Sequence, residues 1–284
     1  MRIGYIGLGN MGRPCAHNLL KANFDVFVWG RRVEQTMPLV EAGAILCADA
    51  EDIGSRVDIL FTNLPNASDV SAVLFGERGA LKRSRKNMIV VDMSTMSAIA
   101  AREIAVRAGE AGAHFVDAPV SGGVIGAEKG TLTILVGAEQ EIFERIKPVL
   151  MAMGSLVTRM GDIGCGQLAK SCNQIMVTGM IIAVAEAMKF ARSAGLDLMV
   201  VREALLTGSA GGNVLDRHGK RMVDENHVPG FKSRLHLKDV EIVEEVTRHL
   251  GIKLPLTEKG LSILQEVVAK GYGEDDCSVV AKVV

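Results

Sequence analysis

Cysteine is scarce in this chain: five in 284 residues, an odd number, with no Cys-x-x-Cys among Cys15, Cys47, Cys165, Cys172 and Cys277. That argues against a disulfide framework and a cysteine-held zinc, and it fits a reducing, cytoplasmic location. The six histidines are scattered and form no His-Glu-x-x-His, so no metal site is expected. No Gly-x-Ser-x-Gly elbow is present, which removes the common serine hydrolase pattern. Net charge is only −1, so nothing points to nucleic acid or a polybasic membrane anchor. The N-terminus lacks the layout of a signal peptide. The most apolar stretch, residues 175–188, is broken by Thr178, Gly179 and Glu186, which predicts a buried helix rather than a membrane span. No repeat and no low-complexity tract stands out.

What the chain does have is an informative opening. Residues 2–6 are apolar and read as a strand, Gly7-Leu8-Gly9-Asn10-Met11-Gly12 follows, and residues 10–21 carry a helical pattern. Between a strand and a helix, G-x-G-x-x-G is a dinucleotide fingerprint. Gly7 permits the tight turn, Gly9 admits a pyrophosphate against the backbone, and Gly12 lets the helix pack on the strand. The helix start then offers N–H groups and partial positive charge to phosphate. A second apolar run, 24–29, ends in Gly30-Arg31-Arg32, where such a fold meets the adenosine ribose. NAD sites usually place a carboxylate there and NADP sites an arginine. With two arginines and no acid, NADP(H) is the expected preference and NAD(H) the secondary cofactor; the alternative is a turn carrying solvated arginines.

Strand-like runs at 2–6, 25–29, 57–62, 88–92, 114–116 and 131–136 alternate with helical patterns such as 10–21, 33–42 and 97–111. This predicts an α/β Rossmann domain over 1–163, with a mostly parallel sheet and ligand-binding loops at the strands' carboxyl ends. Helical patterns then dominate, at 167–193, 198–207, 236–249 and 257–270, predicting an all-α domain over 164–284 joined by a long interdomain helix. A long helix with few charges through its middle must be covered, so a homodimer or homotetramer is expected.

Three segments carry candidate chemistry. Lys170 follows Gly164-Cys165-Gly166-Gln167-Leu168-Ala169, about one turn into a helix, with Asn173 and Gln174 at i+3 and i+4 on its face. A helix start and partial burial both favour the neutral amine, which suits acid–base work; a surface lysine is the competing reading. Asp117-Ala118-Pro119-Val120-Ser121-Gly122-Gly123 places a hydroxyl and two unobstructed N–H groups after a strand, which suits a small carboxylate, or is an ordinary glycine-rich loop. Phe231, Arg234, Lys238 and Asp239 form either a pocket wall with cations or a solvated helix start.

Taken together, these segments resemble the β-hydroxyacid dehydrogenase family over nearly the whole chain. The glycine turn matches its cofactor signature, residues 117–132 its substrate-binding signature, residues 164–174 its catalytic-lysine segment, and residues 273–278 its closing motif. The resemblance implies an oxidoreductase interconverting a small carboxylated aldehyde and its hydroxy acid, with Lys170 as general acid/base. Ser121, Gly122 and Gly123 would hold the carboxylate, and Asn173 or Gln174 would orient the substrate oxygens. Phe231 and Asp239 would line the closed site. Leu64 and Pro65 would line the cofactor groove, Thr95 would lie near the nicotinamide, and Lys238 would approach the cofactor.

Asn173-Gln174 and the Arg-Leu-His-x-Lys-Asp run at 234–239 sit closer to the family's tartronate semialdehyde reductases than to its 3-hydroxyisobutyrate dehydrogenases. Two features depart from the pattern: Gly30 stands where the NADP-type turn usually has Asn, and position 124 is Val. A 3-hydroxyisobutyrate dehydrogenase or another semialdehyde or glyoxylate reductase of the family is the alternative activity, and a cofactor-binding scaffold is the non-enzymatic one. An imine reductase is disfavoured, because those relatives usually replace the lysine.

Overall fold

The structure is a computed structural model that describes residues 1–284. Nine strands form one sheet: β1 (Arg2–Ile6), β2 (Asp25–Trp29), β3 (Ile45–Leu46), β4 (Ile59–Thr62), β5 (Ile89–Asp92), β6 (His114–Asp117), β7 (Val120–Ser121), β8 (Leu132–Gly137) and β9 (Gly154–Gly161). The order β3-β2-β1-β4-β5-β6-β8-β7, with β9 on β8, keeps the first six strands parallel and makes β6–β8 and β7–β8 antiparallel. Strand order reverses between β1 and β4, the switch point at which doubly wound sheets bind their ligands.

The intervening helices are α1 (Gly12–Lys21), α2 (Met37–Glu41), α3 (Ala50–Arg56), α4 (Ala67–Phe75), α5 (Ala98–Glu110), α6 (Gly123–Lys129) and α7 (Gln140–Leu150). The central strands are buried on both faces: Ile3, Tyr5, Val28 and Phe61 pack with α1 in one core, and Leu60, Val90 and Phe115 pack in the other. Continuous apolar runs such as Ile-Leu-Phe at 59–61 arise from this two-sided burial. Asp49, Asn66 and Ser97 accept N–H bonds at the starts of α3, α4 and α5.

The helix expected over 33–42 is interrupted. A 3-10 turn at Val33–Gln35 precedes α2, and Pro38 in the first turn of α2 starts a fresh helix rather than continuing one. The stretch 118–129 contains β7 and α6, with Gly122 and Gly123 between them at φ of 126° and 65°. Strand β9 went unassigned from sequence because it is an edge whose side chains alternate poorly: Leu156 and Met160 are exposed.

The chain divides into two compact units, Met1–Lys170 and Ser171–Val284. The 29-residue helix α8 (Cys165–Ser193) begins in the first and continues into the second. The second unit contains the rest of α8 with α9 (Leu198–Leu206), α10 (Lys220–Val223), α11 (Ser233–Leu250) and α12 (Pro255–Ala269), followed by a 3-10 stretch at Cys277–Lys282. Its core joins Ile181, Ala185, Val240, Leu264, Val267 and Val280. A π-turn at Leu215–Gly219 leads into α10, and the buried Arg202 secures it by bonding Leu215 O, Asp216 O and the Asp216 carboxylate. By length and composition α8 is apolar enough to cross a membrane; 44% of its most apolar window is buried in protein.

Candidate active site

The Gly7–Gly12 turn links β1 to α1 at the switch point. Gly7 has φ +98°, and a Cβ there would lie 2.1 Å from Asn63 O, at the end of β4. A Cβ on Gly12 would lie 2.0 Å from Gly7 O and 2.9 Å from Tyr5 Cε1, so α1 packs too close to β1 for any side chain. Gly9 is the opposite case, since a Cβ there meets nothing within 4 Å. No side chain caps α1 and its first turn holds no acid, in contrast to the capped α3, α4 and α5. An open glycine before an uncapped helix start is the donor set a dinucleotide pyrophosphate requires, so this chain's residues fit that group. Leu8 is buried below the turn, while Asn10 is exposed and Met11 half-buried at its rim. Arg31 and Arg32 are exposed at the end of β2, and neither makes an ion pair or a side-chain hydrogen bond.

The loops leaving β4 and β5 are locked together. Thr62 and Ser94 hydroxyls both donate to Asp92 Oδ1 at 2.7 Å, and Leu64 N donates to Ser94 Oγ at 2.9 Å. Burial pushes the Asp92 carboxyl up to about 6 despite those bonds. Leu64 and Pro65 lie on one loop and the half-buried Thr95 on the other.

Asp117, at the end of β6, does the work of a helix cap. Its two carboxylate oxygens accept from Gly164 N at 2.7 Å and Gln167 N at 2.9 Å, satisfying the start of α8. Gly166 has no room for a side chain there, since a Cβ would sit 2.4 Å from Leu135 O and 2.7 Å from Asp117 O. Burial raises the Asp117 carboxyl to about 6, and the Gly164 and Gln167 N–H groups oppose the rise. With α8 anchored this way, Lys170 is buried and donates from Nζ to Val120 O at 2.8 Å. Val120 immediately precedes Ser121-Gly122-Gly123, so the ammonium stands beside the Ser-Gly-Gly turn.

The second unit holds its own linked set. Asn173 Nδ2 donates to Gln174 Oε1 at 2.7 Å, and Gln174 Nε2 donates to Asp239 Oδ2 at 3.0 Å. Lys238 Nζ lies 3.1 Å from Asp239 Oδ1. Asp239 is almost fully buried, and its carboxylate is met by an amide and an ammonium. Phe231 packs against His236, ring centroids 5.8 Å apart, and His236 Nε2 pairs with Thr178 Oγ1 at 2.8 Å. Every sequence-predicted residue of this unit therefore lies in the α8–α11 neighbourhood or on the approach to α11.

Sequence reasoning did not single out Asp92, Ser94, Gln167 or Asp276. The available signal for a distant cap was negative: Gly164-Cys165-Gly166 opens a long helix with no capping side chain of its own. Asp276 in the 273–278 motif accepts from Gly230 N, Phe231 N and Ser278 N, which clamps the Phe231 segment to the C-terminal stretch. Burial opposes ionisation of Asp276, but His218, the N–H donors and Arg221 outweigh it and hold the carboxyl well below its ordinary value. His218, Asp276 and Cys277 also have ligand-type atoms within 4.8 Å of one another. With the carboxylate occupied by three N–H groups, Arg221 3.8 Å away and the Cys277 thiol pushed well up by burial, this grouping reads as a clamp rather than a metal site.

Comparison with known proteins agrees with this architecture. Residues 2–161 match the family profile described as the NAD binding domain of 6-phosphogluconate dehydrogenase. Residues 164–284 match that described as NAD-binding of NADP-dependent 3-hydroxyisobutyrate dehydrogenase. The chain is 39% identical to the 2-hydroxy-3-oxopropionate reductase of Escherichia coli (strain K12), over 99% of this chain and 96% of that protein. Among solved structures, a 3-hydroxyisobutyrate dehydrogenase from Salmonella typhimurium superposes with a TM-score of 0.92 at 30% identity, covering 100% of both chains. Psf3 in complex with NADP+ and 2-OPP superposes with a TM-score of 0.91 at 25% identity, covering 99% of both. The chain belongs to the β-hydroxyacid dehydrogenase family of NAD(P)-dependent oxidoreductases.

Proposed function

We propose that this protein is an NADP(H)-preferring reductase of a small carboxylated aldehyde, running between the aldehyde and its hydroxy acid, with Lys170 as the general acid/base. The observation that carries the reading is the buried Lys170 ammonium, fixed at 2.8 Å on Val120 O beside Ser121-Gly122-Gly123. A proton donor held next to an anion-binding turn suits a substrate whose carbonyl and carboxylate are close together. The relative acting on 2-hydroxy-3-oxopropionate, which is tartronate semialdehyde, makes that compound the first candidate. The 3-hydroxyisobutyrate dehydrogenase likeness keeps methylmalonate semialdehyde as the second.

The nicotinamide, when bound, supplies the hydride. The Ser121 hydroxyl and the Gly122 and Gly123 N–H groups anchor the substrate carboxylate. Lys170 gives its proton to the carbonyl oxygen as negative charge develops there, and takes one back in the oxidative direction. The bond to Val120 O holds the ammonium in place for that transfer. Asn173 and Gln174 orient the substrate oxygens, with Gln174 itself oriented by the acceptor-only Asp239 carboxylate. Phe231 contributes apolar surface to substrate binding. Gly7, Leu8, Gly9, Asn10, Met11 and Gly12 form the pyrophosphate turn, Leu64, Pro65 and Thr95 the groove, and Lys238 a further cofactor contact. Arg31 and Arg32, unpaired at the end of β2, meet the 2′-phosphate.

The exposed Met176, Met180 and Phe190 recur at helical spacing along α8, and a second copy of the chain is the cover that suits them. The test of the function is a panel of tartronate semialdehyde, methylmalonate semialdehyde, succinic semialdehyde, glyoxylate and sulfolactaldehyde with NADPH and NADH. One carboxylated aldehyde dominating kcat/KM, with NADPH ahead of NADH, is the expected result. Tight NADPH binding without oxidation of any of them counts against the reading and favours a scaffold.

A further inference from the structure

Gln167 is buried, 1% exposed, in the first turn of α8, and its amide is used at both ends. Oε1 accepts from Met96 N at 3.2 Å, and Nε2 donates to Ser94 O at 2.8 Å. The two backbone groups lie on either side of Thr95. The main-chain N–H of Gln167 donates to Asp117 Oδ2 at 2.9 Å. Ser94 continues the network through Asp92 to Thr62 and through its hydroxyl to Leu64 N. The amide therefore joins the helix bearing Lys170 to the Thr95 loop, which the Ser94 hydroxyl in turn ties to the Leu64 loop.

A primary amide can donate and accept at once from a rigid plane, which is what gripping both sides of a loop residue requires. Neither a hydrocarbon nor a carboxylate of similar length can make both bonds. Lys170 is three residues further on, about one turn along the same helix. Any rotation or slide of the first turn of α8 relative to the Thr95 loop must break one or both amide bonds. A reaction that moves a hydride and a proton to the two ends of one carbonyl depends on that registration. A displacement of about 1 Å can cost on the order of 10²-fold in rate.

We propose that Gln167 is a positioning residue for the reaction, holding the Lys170 helix in register with the Thr95 loop. The proposal rests on the reading of Lys170 given above. It assigns Gln167 no contact with substrate; it acts through Lys170 and Thr95.

Two variants test it, assayed with NADPH and the best aldehyde of the panel. Gln167→Met keeps length and burial and loses both bonds. In Gln167→Glu, the ionised carboxylate keeps only the bond from Met96 N and faces Ser94 O with like partial charge. Once protonated, that carboxyl makes both bonds again. The expected result for Gln167→Met is a kcat loss on the order of 10²-fold per folded active site. KM should change far less, and the isotope effect with NADPH deuterated at C4 should be larger. For Gln167→Glu, kcat relative to wild type should rise as pH falls.

A purely structural role would lower the melting temperature and leave kcat per folded site, the isotope effect and that pH ratio unchanged, and this result overturns the proposal. If Gln167→Met does not fold, the pH ratio of Gln167→Glu decides alone. Lys170→Met run in parallel separates the two ideas. Wild-type turnover in Lys170→Met removes the reading beneath the proposal. Loss of turnover there, with Gln167→Met at wild-type kcat, removes the proposal only.

Discussion

Gly9→Ala separates the demands of the cofactor from those of the fold. A Cβ at Gly9 meets no atom within 4 Å, and its φ is not in the left-handed region. The substitution therefore costs the folded state nothing and removes freedom from the unfolded chain, worth about 0.4–1 kcal/mol in favour of folding. For a chain of this size that is an increase of about 1–3 °C in Tm. The same methyl stands in the open space before the uncapped start of α1, where a pyrophosphate must approach the backbone. Losing one charge-assisted N–H bond costs about 1.5–3 kcal/mol, so Kd for NADPH should rise about 10- to 100-fold. Gly12→Ala is the opposite perturbation. Its Cβ would lie 2.0 Å from Gly7 O, a backbone atom that cannot rotate away. Overpacking of that kind costs about 1–3 kcal/mol, so Tm should fall before any cofactor is added. Thermal melts of the apoprotein and fluorescence titration with NADPH read both effects. Wild-type NADPH affinity in Gly9→Ala would refute the placement of the pyrophosphate.

Arg31→Ala with Arg32→Ala should lower the NADPH-to-NADH ratio of kcat/KM about tenfold or more, because each charge-assisted bond to the 2′-phosphate is worth about 1.5–3 kcal/mol; an unchanged ratio would place the selectivity elsewhere. Asp92 and Asp117, both raised from 3.8 to about 6, bind protons more readily folded than unfolded. Stability from these two groups should therefore fall as pH rises from about 4 to 6 and be level above that. Asp92→Asn, whose Oδ1 can still accept from Thr62 and Ser94, should remove about 2 kcal/mol of the stability difference between pH 4.5 and pH 7, read by urea unfolding at those two pH values. An unchanged slope would mean that Asp92 is not the group titrating. Phe190, 75% exposed on α8, should support self-association, so Phe190→Asp should lower the mass measured by light scattering while circular dichroism stays unchanged. A wild-type mass would move the interface off this face.

The strands that bury both faces were legible in the sequence, because two-sided burial writes itself as an apolar run: β1 and β2 match the expected 2–6 and 25–29 to the residue. Edges were not, since β3 is two exposed residues and β9 points Leu156 and Met160 outward. The segments carrying candidate chemistry were visible because glycine spacing and a lysine–amide cluster are local patterns. Their supports were invisible because each is a contact across long sequence separation: Asp117 caps a helix 47 residues later, and Gln167 reaches back 73 residues to Ser94. A helix beginning at Gly164-Cys165-Gly166 without its own cap is the trace such a contact leaves. Asp239 illustrates the same limit. Its acid character was readable, but its use in orienting Gln174 was not.

On the proposed mechanism the Lys170 ammonium, held on Val120 O beside Ser121-Gly122-Gly123, delivers the proton of the reaction. The decisive measurement is the turnover of Lys170→Met, taken on the same sample as its NADPH affinity. A proton-delivering Lys170 requires kcat to fall by about 10²- to 10⁴-fold with NADPH bound as in wild type. Near-wild-type turnover with intact cofactor binding would contradict it.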